Sequence, residues 1–207
     1  MKIIKQSCEN EMVCEFLKME YASERFAVKL TAIIKELQAD ETLILNGNLQ
    51  SERENALRKE ILKRFRGYRD SEIFENFPKE INWNWAVFDR EDISKILYIE
   101  YSYWNELSNY TGSPLEAAKT IRAGIIIYDV PNDGFIEAAH ALKQGVKFPP
   151  LIFLSDRNEN RYIILEGHKR MTAYGLEPEF FRDIPVLLGI CGSEELDKWY
   201  GFMPPRH

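Results

Sequence analysis

The chain has 207 residues, of which 45% are hydrophobic and 29% charged, the composition of a globular protein long enough to bury a core as one large domain or one domain with a sizeable extension. The formal net charge of −6 argues against general duplex binding and leaves only a local basic face for nucleic acid, while no run approaches the roughly 20 apolar residues that span a bilayer, so no membrane partner is expected. Cys8, Cys14 and Cys191 have no metal-ligand spacing and cannot all pair, and residues 1–10 lack the apolar core of a signal peptide; a cytoplasmic setting is the expectation.

Residues 11–38 place Phe16, Leu17, Phe26, Leu30, Ile33, Ile34 and Leu37 near helical spacing. This predicts one amphipathic helix or two close-packed ones, facing the core or a homodimer partner. Leu43 to Leu45 is a brief apolar run before the Asn46-Gly47-Asn48 turn. Ser51 and Glu54 have capping-box spacing and open a helix over 52–66. That helix carries Arg53, Arg58, Lys59, Lys63, Arg64 and Arg66, with Arg69 just beyond. The basic row is either a solvated face balanced by Glu52, Glu54 and Glu60 or a track for a nucleic-acid backbone.

Trp83, Trp85 and Val87 alternate with Asn82, Asn84 and Ala86, the period of a half-buried strand. Asp89 then suits a helix N-cap, and the helix is expected to run to about Leu107, burying Ile93, Ile96, Leu97, Tyr101 and Trp104. Ser113 and Pro114 open a short helix over 115–123 that Gly124 stops. Ile125 to Tyr128 reads as a strand, and Phe135 to Lys143 as a helix ending at Gly145. Leu151 to Leu154 and Arg161 to Leu165 form a β-hairpin closed by a polar loop.

The hairpin leads into the stretch that carries the functional reading. The second strand ends at Glu166-Gly167, and from His168 the pattern becomes helical. Gly167 permits backbone angles closed to other residues and close approach of a ligand. The free N–H groups of the first helical turn favour an anion there. Lys169 and Arg170 oppose the helix dipole, and a bound phosphate would reverse that cost; the alternative is a plain turn with solvated cations. Ile184 to Leu188 supplies a last strand. Ser193 caps a helix to Trp199, and Trp199, Tyr200, Phe202 and Met203 are expected to pack back on the body. The fold class is α+β: residues 1–80 form a helical N-terminal region, and residues 81–207 a mixed α/β domain with a C-terminal tail.

From about Gly124 to Ile190 the order of these elements, with Phe148-Pro149-Pro150 before the hairpin and Glu166-Gly167-His168-Lys169-Arg170 after it, resembles the ParB/sulfiredoxin superfamily. His168 stands where sulfiredoxins carry a cysteine, so sulfinic acid reduction is not expected. Chromosome-partitioning proteins have Gly-Glu-Arg-Arg at this turn. The nearest pattern is the acid-Gly-His-x-Arg form similar to free serine kinases, with Glu166 in place of an aspartate.

The resemblance implies a phosphate-binding set of Gly167, His168, Lys169, Arg170, Met171 and Thr172, and a catalytic set of Glu166, His168 and Asp133. It implies Mg²⁺ with ATP, ADP or another nucleotide, and transfer of phosphate to a small hydroxyl acceptor or hydrolysis of the triphosphate. Glu166 would orient the turn or hold the metal, and His168 would hydrogen-bond a phosphate oxygen. Asp129, Asp133 and Glu137 are candidates for Mg²⁺ or for the general base, with surface or capping roles as their alternative. The other readings are a non-catalytic nucleotide-sensing or DNA-associated module, and a scaffold that has lost ligand binding.

Overall fold

A computed structural model describes residues 1–201. Helices α1 (Glu9–Tyr21), α2 (Glu24–Glu36), the single turn α3 (Thr42–Leu45) and α4 (Glu52–Arg66) follow a short first strand, β1 (Lys2–Gln6). Then come β2 (Asn82–Phe88), β3 (Ile96–Leu97), α5 (Ser102–Leu107), α6 (Pro114–Arg122), α7 (Asp133–Lys143), β4 (Leu151–Asp156), β5 (Tyr162–Glu166), α8 (His168–Leu176), β6 (Ile184–Cys191) and α9 (Ser193–Tyr200). The strands make one mixed six-stranded sheet in the order β1-β2-β6-β4-β5-β3. The fold class is α+β.

The two central strands carry apolar side chains on both faces, as strands covered on both sides must. All six residues of β4 are buried. Ile152 and Leu154 face the layer built by α1, α2, α4 and α9, with Phe16, Leu17, Leu30, Ile61, Phe65 and Trp199. Leu151 and Phe153 face the layer built by α6, α7 and α8, with Ala117, Ile121, Phe135, Leu142 and Met171. Period-two alternation thus feeds two cores, and each fully buried aliphatic or aromatic side chain contributes about 1.5–3 kcal/mol. The N-terminal helices share a core with the sheet, and β1 extends it by pairing with β2.

Several local expectations hold, and the exceptions have physical causes. Residues 11–38 form two helices, and Ser51 accepts a hydrogen bond from the Glu54 N–H at 3.3 Å. The reciprocal half of the box is absent, because the Glu54 carboxylate accepts from the Asn48 N–H instead, at 2.7 Å. Asp89 and Asp92 do form a complete capping box, yet the element they open is a 3₁₀ turn over Arg90–Lys95 and not a helix to Leu107. Ile96 and Leu97 pair in parallel with Tyr162 and Ile163, so sheet-edge pairing overrides helical spacing. The Ile125–Tyr128 strand is replaced by an exposed loop with one bridge, Ile127 to Val130. Tyr128 and Asp129 have φ of 48° and 57°, which turn the chain back on itself. Gly192, one residue before Ser193, is the N-cap of α9. Trp199 is buried and Tyr200 packs against the same core, whereas Phe202 and Met203 lie outside the described residues.

The basic row of α4 is largely consumed inside the molecule. Arg58 is fully buried and donates to Leu43 O at 2.9 Å, Asn48 O at 3.0 Å and Asn55 Oδ1 at 2.5 Å. A Cβ at Gly47 would lie 2.0 Å from its guanidinium, which is why that turn carries glycine. Lys59 and Arg69 both pair with Glu9, Arg64 with Glu60 and Arg66 with Glu20. Such a row has little charge left for a nucleic-acid backbone.

Candidate functional site

The Gly167 turn is built as a strand feeding directly into a helix. Gly167 has φ +102°, and a Cβ there would lie 2.4 Å from Leu151 Cδ2, so both conformation and space require glycine. It is the N-cap of α8. Met171 donates its N–H to Gly167 O at 2.8 Å and buries its side chain. Thr172 is fully buried; its hydroxyl bonds Tyr98 Oη at 2.7 Å and His168 O at 2.8 Å. Of the six residues expected to hold phosphate, these two serve the core. The N–H groups left at the helix start are those of His168, Lys169 and Arg170.

Arg170 is a clamp. Its guanidinium pairs with Glu166 one turn earlier, donates at 2.7 Å to both Pro149 O and Pro150 O, and reaches Met19 Sδ at 3.0 Å. It ties the start of α8 to the segment that leads into β4 and to α1. Glu166 is correspondingly occupied. Burial raises its carboxyl above the ordinary range, against the lowering effect of Arg170 and Arg66.

His168 sits in an aromatic stack, with ring centroids 5.1 Å from Trp104 and 6.1 Å from Tyr98 at interplanar angles of 22° and 11°. Its Nε2 is buried with no hydrogen-bond partner. Burial, aided by Arg66 and Arg170, pushes its pKa down to about 3, so the ring is neutral at physiological pH. A neutral imidazole with one unmet nitrogen can donate or accept a single hydrogen bond. Leaving it unmet costs about 1–3 kcal/mol.

The turn forms one wall of a cleft of about 420 Å³. The opposite wall comes from residues far away in sequence: Glu20 at the end of α1, Ser23 and Arg25 at the start of α2, and Arg66 at the end of α4. The first turns of both α2 and α8 border the cleft, and each favours negative charge. Arg66 donates to Glu20 at 2.9 Å while its Nε is buried without a partner. Burial also raises the Glu20 carboxyl, against the pull of Arg66. Both carboxylates of the cleft are therefore already matched to arginines, leaving Arg25 and Lys169 to give it a positive bias. Lys169 is exposed and reaches over α7, where a Cβ at Gly134 would lie 3.0 Å from its Nζ.

Asp133 begins α7 beside that lysine, but it is exposed and does not line the cleft. Asp129 and Glu137 are also exposed. No group of three His, Cys, Asp or Glu residues among the described residues could hold a metal ion. A separate cleft of about 460 Å³ around Arg69, Lys79, Arg157 and Glu195 contains none of the turn residues.

Reading by sequence missed Glu20, Ser23 and Arg25, and met Arg66 only as one of a basic row. No local signal marks them, because the packing of α1, α2 and α4 over the sheet brings them to the turn. Comparison with family models, with curated proteins and with solved structures finds no match. No helix among the described residues is long and apolar enough to cross a membrane.

Proposed function

We propose that this protein binds the phosphates of a nucleotide at the start of α8, between Gly167–Lys169 and the cation of Arg25. The observation that carries the reading is the buried, unpartnered Nε2 of His168 in the wall of a cleft bordered by two helix N-termini. A phosphate oxygen supplies the missing partner, and charge-assisted bonds from Lys169 and Arg25 hold it. Mg²⁺ enters on the nucleotide's own phosphate oxygens, since Glu20 and Glu166 are committed to arginines. The resemblance to free serine kinases extends the reading to phosphate transfer from ATP or ADP to a small hydroxyl compound, or to triphosphate hydrolysis, with Asp133, next to the Gly134 over which Lys169 reaches, as the carboxylate base.

A non-catalytic nucleotide sensor is the second reading. It is favoured by the fact that neither carboxylate lining the cleft is free to take a proton from an acceptor. DNA association through α4 has little support, given the pairing of its cations.

The test is a thermal-stability titration with ATP, ADP, CTP and GTP plus Mg²⁺, on wild type, His168→Ala and Lys169→Ala. Ligand at a hundredfold excess over its dissociation constant adds about 2.7 kcal/mol to the folded state. A shift with one nucleotide that both variants weaken supports the site, and acceptor-dependent turnover would then separate kinase from sensor. Well-folded protein that responds to no nucleotide would sink the reading.

A further inference from the structure

The cleft does not end at His168. Arg25, Tyr101, Trp104 and Lys169 also border an adjoining chamber of about 590 Å³, completed by Ser102, Tyr103, Tyr128, Val130 and Phe135. Aromatic rings dominate this chamber, and no Asp or Glu lines it. Tyr103 and Phe135 meet Trp104 edge to face, with centroids 5.0 and 6.1 Å apart. The Tyr103 hydroxyl is buried with no hydrogen-bond partner, the counterpart in this chamber of His168 Nε2 in the cleft.

Tyr128 stands at the mouth, 60% exposed. It and Asp129 have φ of 48° and 57°, a region that non-glycine residues enter only at a steric cost. The Tyr128 ring thus lines the chamber and stays out of the core.

We propose that the aromatic chamber seats the base of the nucleotide whose phosphates lie at Gly167–Lys169. This rests on the phosphate reading above. Every base has a π-face that aromatic side chains can stack on, and none needs to meet an anion here. Arg25 and Lys169, shared by both spaces, mark the border at which phosphate gives way to sugar and base. Tyr103 offers its free hydroxyl to a ring nitrogen or exocyclic group.

The experiment titrates the full chain by calorimetry with the four nucleosides, with their Mg²⁺ triphosphates and with Mg²⁺-tripolyphosphate. The proteins are wild type, Tyr128→Ala, Tyr103→Phe and Lys169→Ala; Tyr128 and Lys169 are exposed, so their replacement leaves the fold intact. At least one triphosphate is expected to bind about tenfold or more tighter than tripolyphosphate, the margin that stacking supplies. Tyr128→Ala should erase that margin and the binding of the matching nucleoside while sparing tripolyphosphate; Lys169→Ala should weaken both polyphosphates and spare the nucleoside. Equal affinity for triphosphates and tripolyphosphate, with no nucleoside bound, overturns the base site and leaves the phosphate site standing. Nucleoside binding that survives both tyrosine changes also overturns it. Nucleoside binding that Tyr128→Ala abolishes, without any response to tripolyphosphate, supports the chamber and removes the phosphate reading. Binding of none of the ligands overturns both.

Discussion

Replacing Arg170 with alanine separates a structural clamp from a phosphate ligand. In the native protein the Arg170 and Glu166 side chains are only 15% and 17% exposed and pair with each other. Removing the arginine strands a carboxylate in the wall of the cleft, with Arg66 as the remaining nearby cation. Breaking a buried pair by deleting one partner costs about 3–5 kcal/mol, and the neighbouring Arg66 puts this case near the lower end. In a chain of this size each kcal/mol moves the melting temperature by roughly 2–4 °C, so a fall of about 6–12 °C is expected. Urea denaturation at pH 7 of wild type, Arg170→Ala, Glu166→Gln and the double variant gives the full cycle. The double variant should be more stable than Arg170→Ala alone by about 1 kcal/mol or more, because it leaves no unpaired charge. The Arg170→Ala deficit should also narrow as the pH falls. Glu166 already titrates above its ordinary range, and loss of Arg170 raises it further. Below that value the carboxyl is neutral and the penalty disappears. A loss under about 1 kcal/mol, or strict additivity of the two changes, would refute the clamp and return Arg170 to the phosphate-binding set.

The remaining predictions concern the turn, the helical layer and the acid limb. His168, with its pKa pushed down to about 3, should show no imidazole titration by NMR between pH 8 and 5. Because the unfolded chain takes up this proton near pH 6.5 and the native state does not, stability should fall as pH drops from about 6.5 toward 3, and His168→Gln should flatten that slope. Gly167→Ala should cost more than about 2 kcal/mol through backbone strain and the Leu151 contact, whereas Gly145→Ala, with φ +83° and nothing within 4 Å of its Cβ, should cost about 1 kcal/mol; similar losses at both positions would deny Gly167 its steric role. Arg58→Ala leaves three buried or partly buried acceptors without their donor and should cost about 3–5 kcal/mol in chemical denaturation. Glu9, despite the opposing effect of burial, is held down at about 2 by the hydrogen-bonded cations of Arg69 and Lys59. Its contribution is present above about pH 4.5 and lost as pH falls toward 2, so Glu9→Gln should lower stability at pH 7 and reduce that part of the acid loss.

Features encoded over a few residues were readable in the chain itself. Caps at Ser51, Asp89 and Ser113, the stops at Gly124 and Gly145, the hairpin, and the strand-to-helix turn at Gly167 depend on backbone angles and hydrogen bonds between neighbours, and all appear in the fold. Long-range pairing decided the rest. Ile96 and Leu97 are extended because β5 offers them an edge, and residues 2–6 become a strand only by pairing with β2. The same holds at the site. Gly167, His168 and Lys169 were marked by spacing. Tertiary packing alone sent Arg58 into the core, brought the Pro149 and Pro150 carbonyls to Arg170, and carried Arg25 and Arg66 to the cleft. A cation in a sequence is only a charge; whether it is a clamp, a core residue or a ligand-binding group depends on which oxygens the fold brings within reach and how much water it leaves beside them.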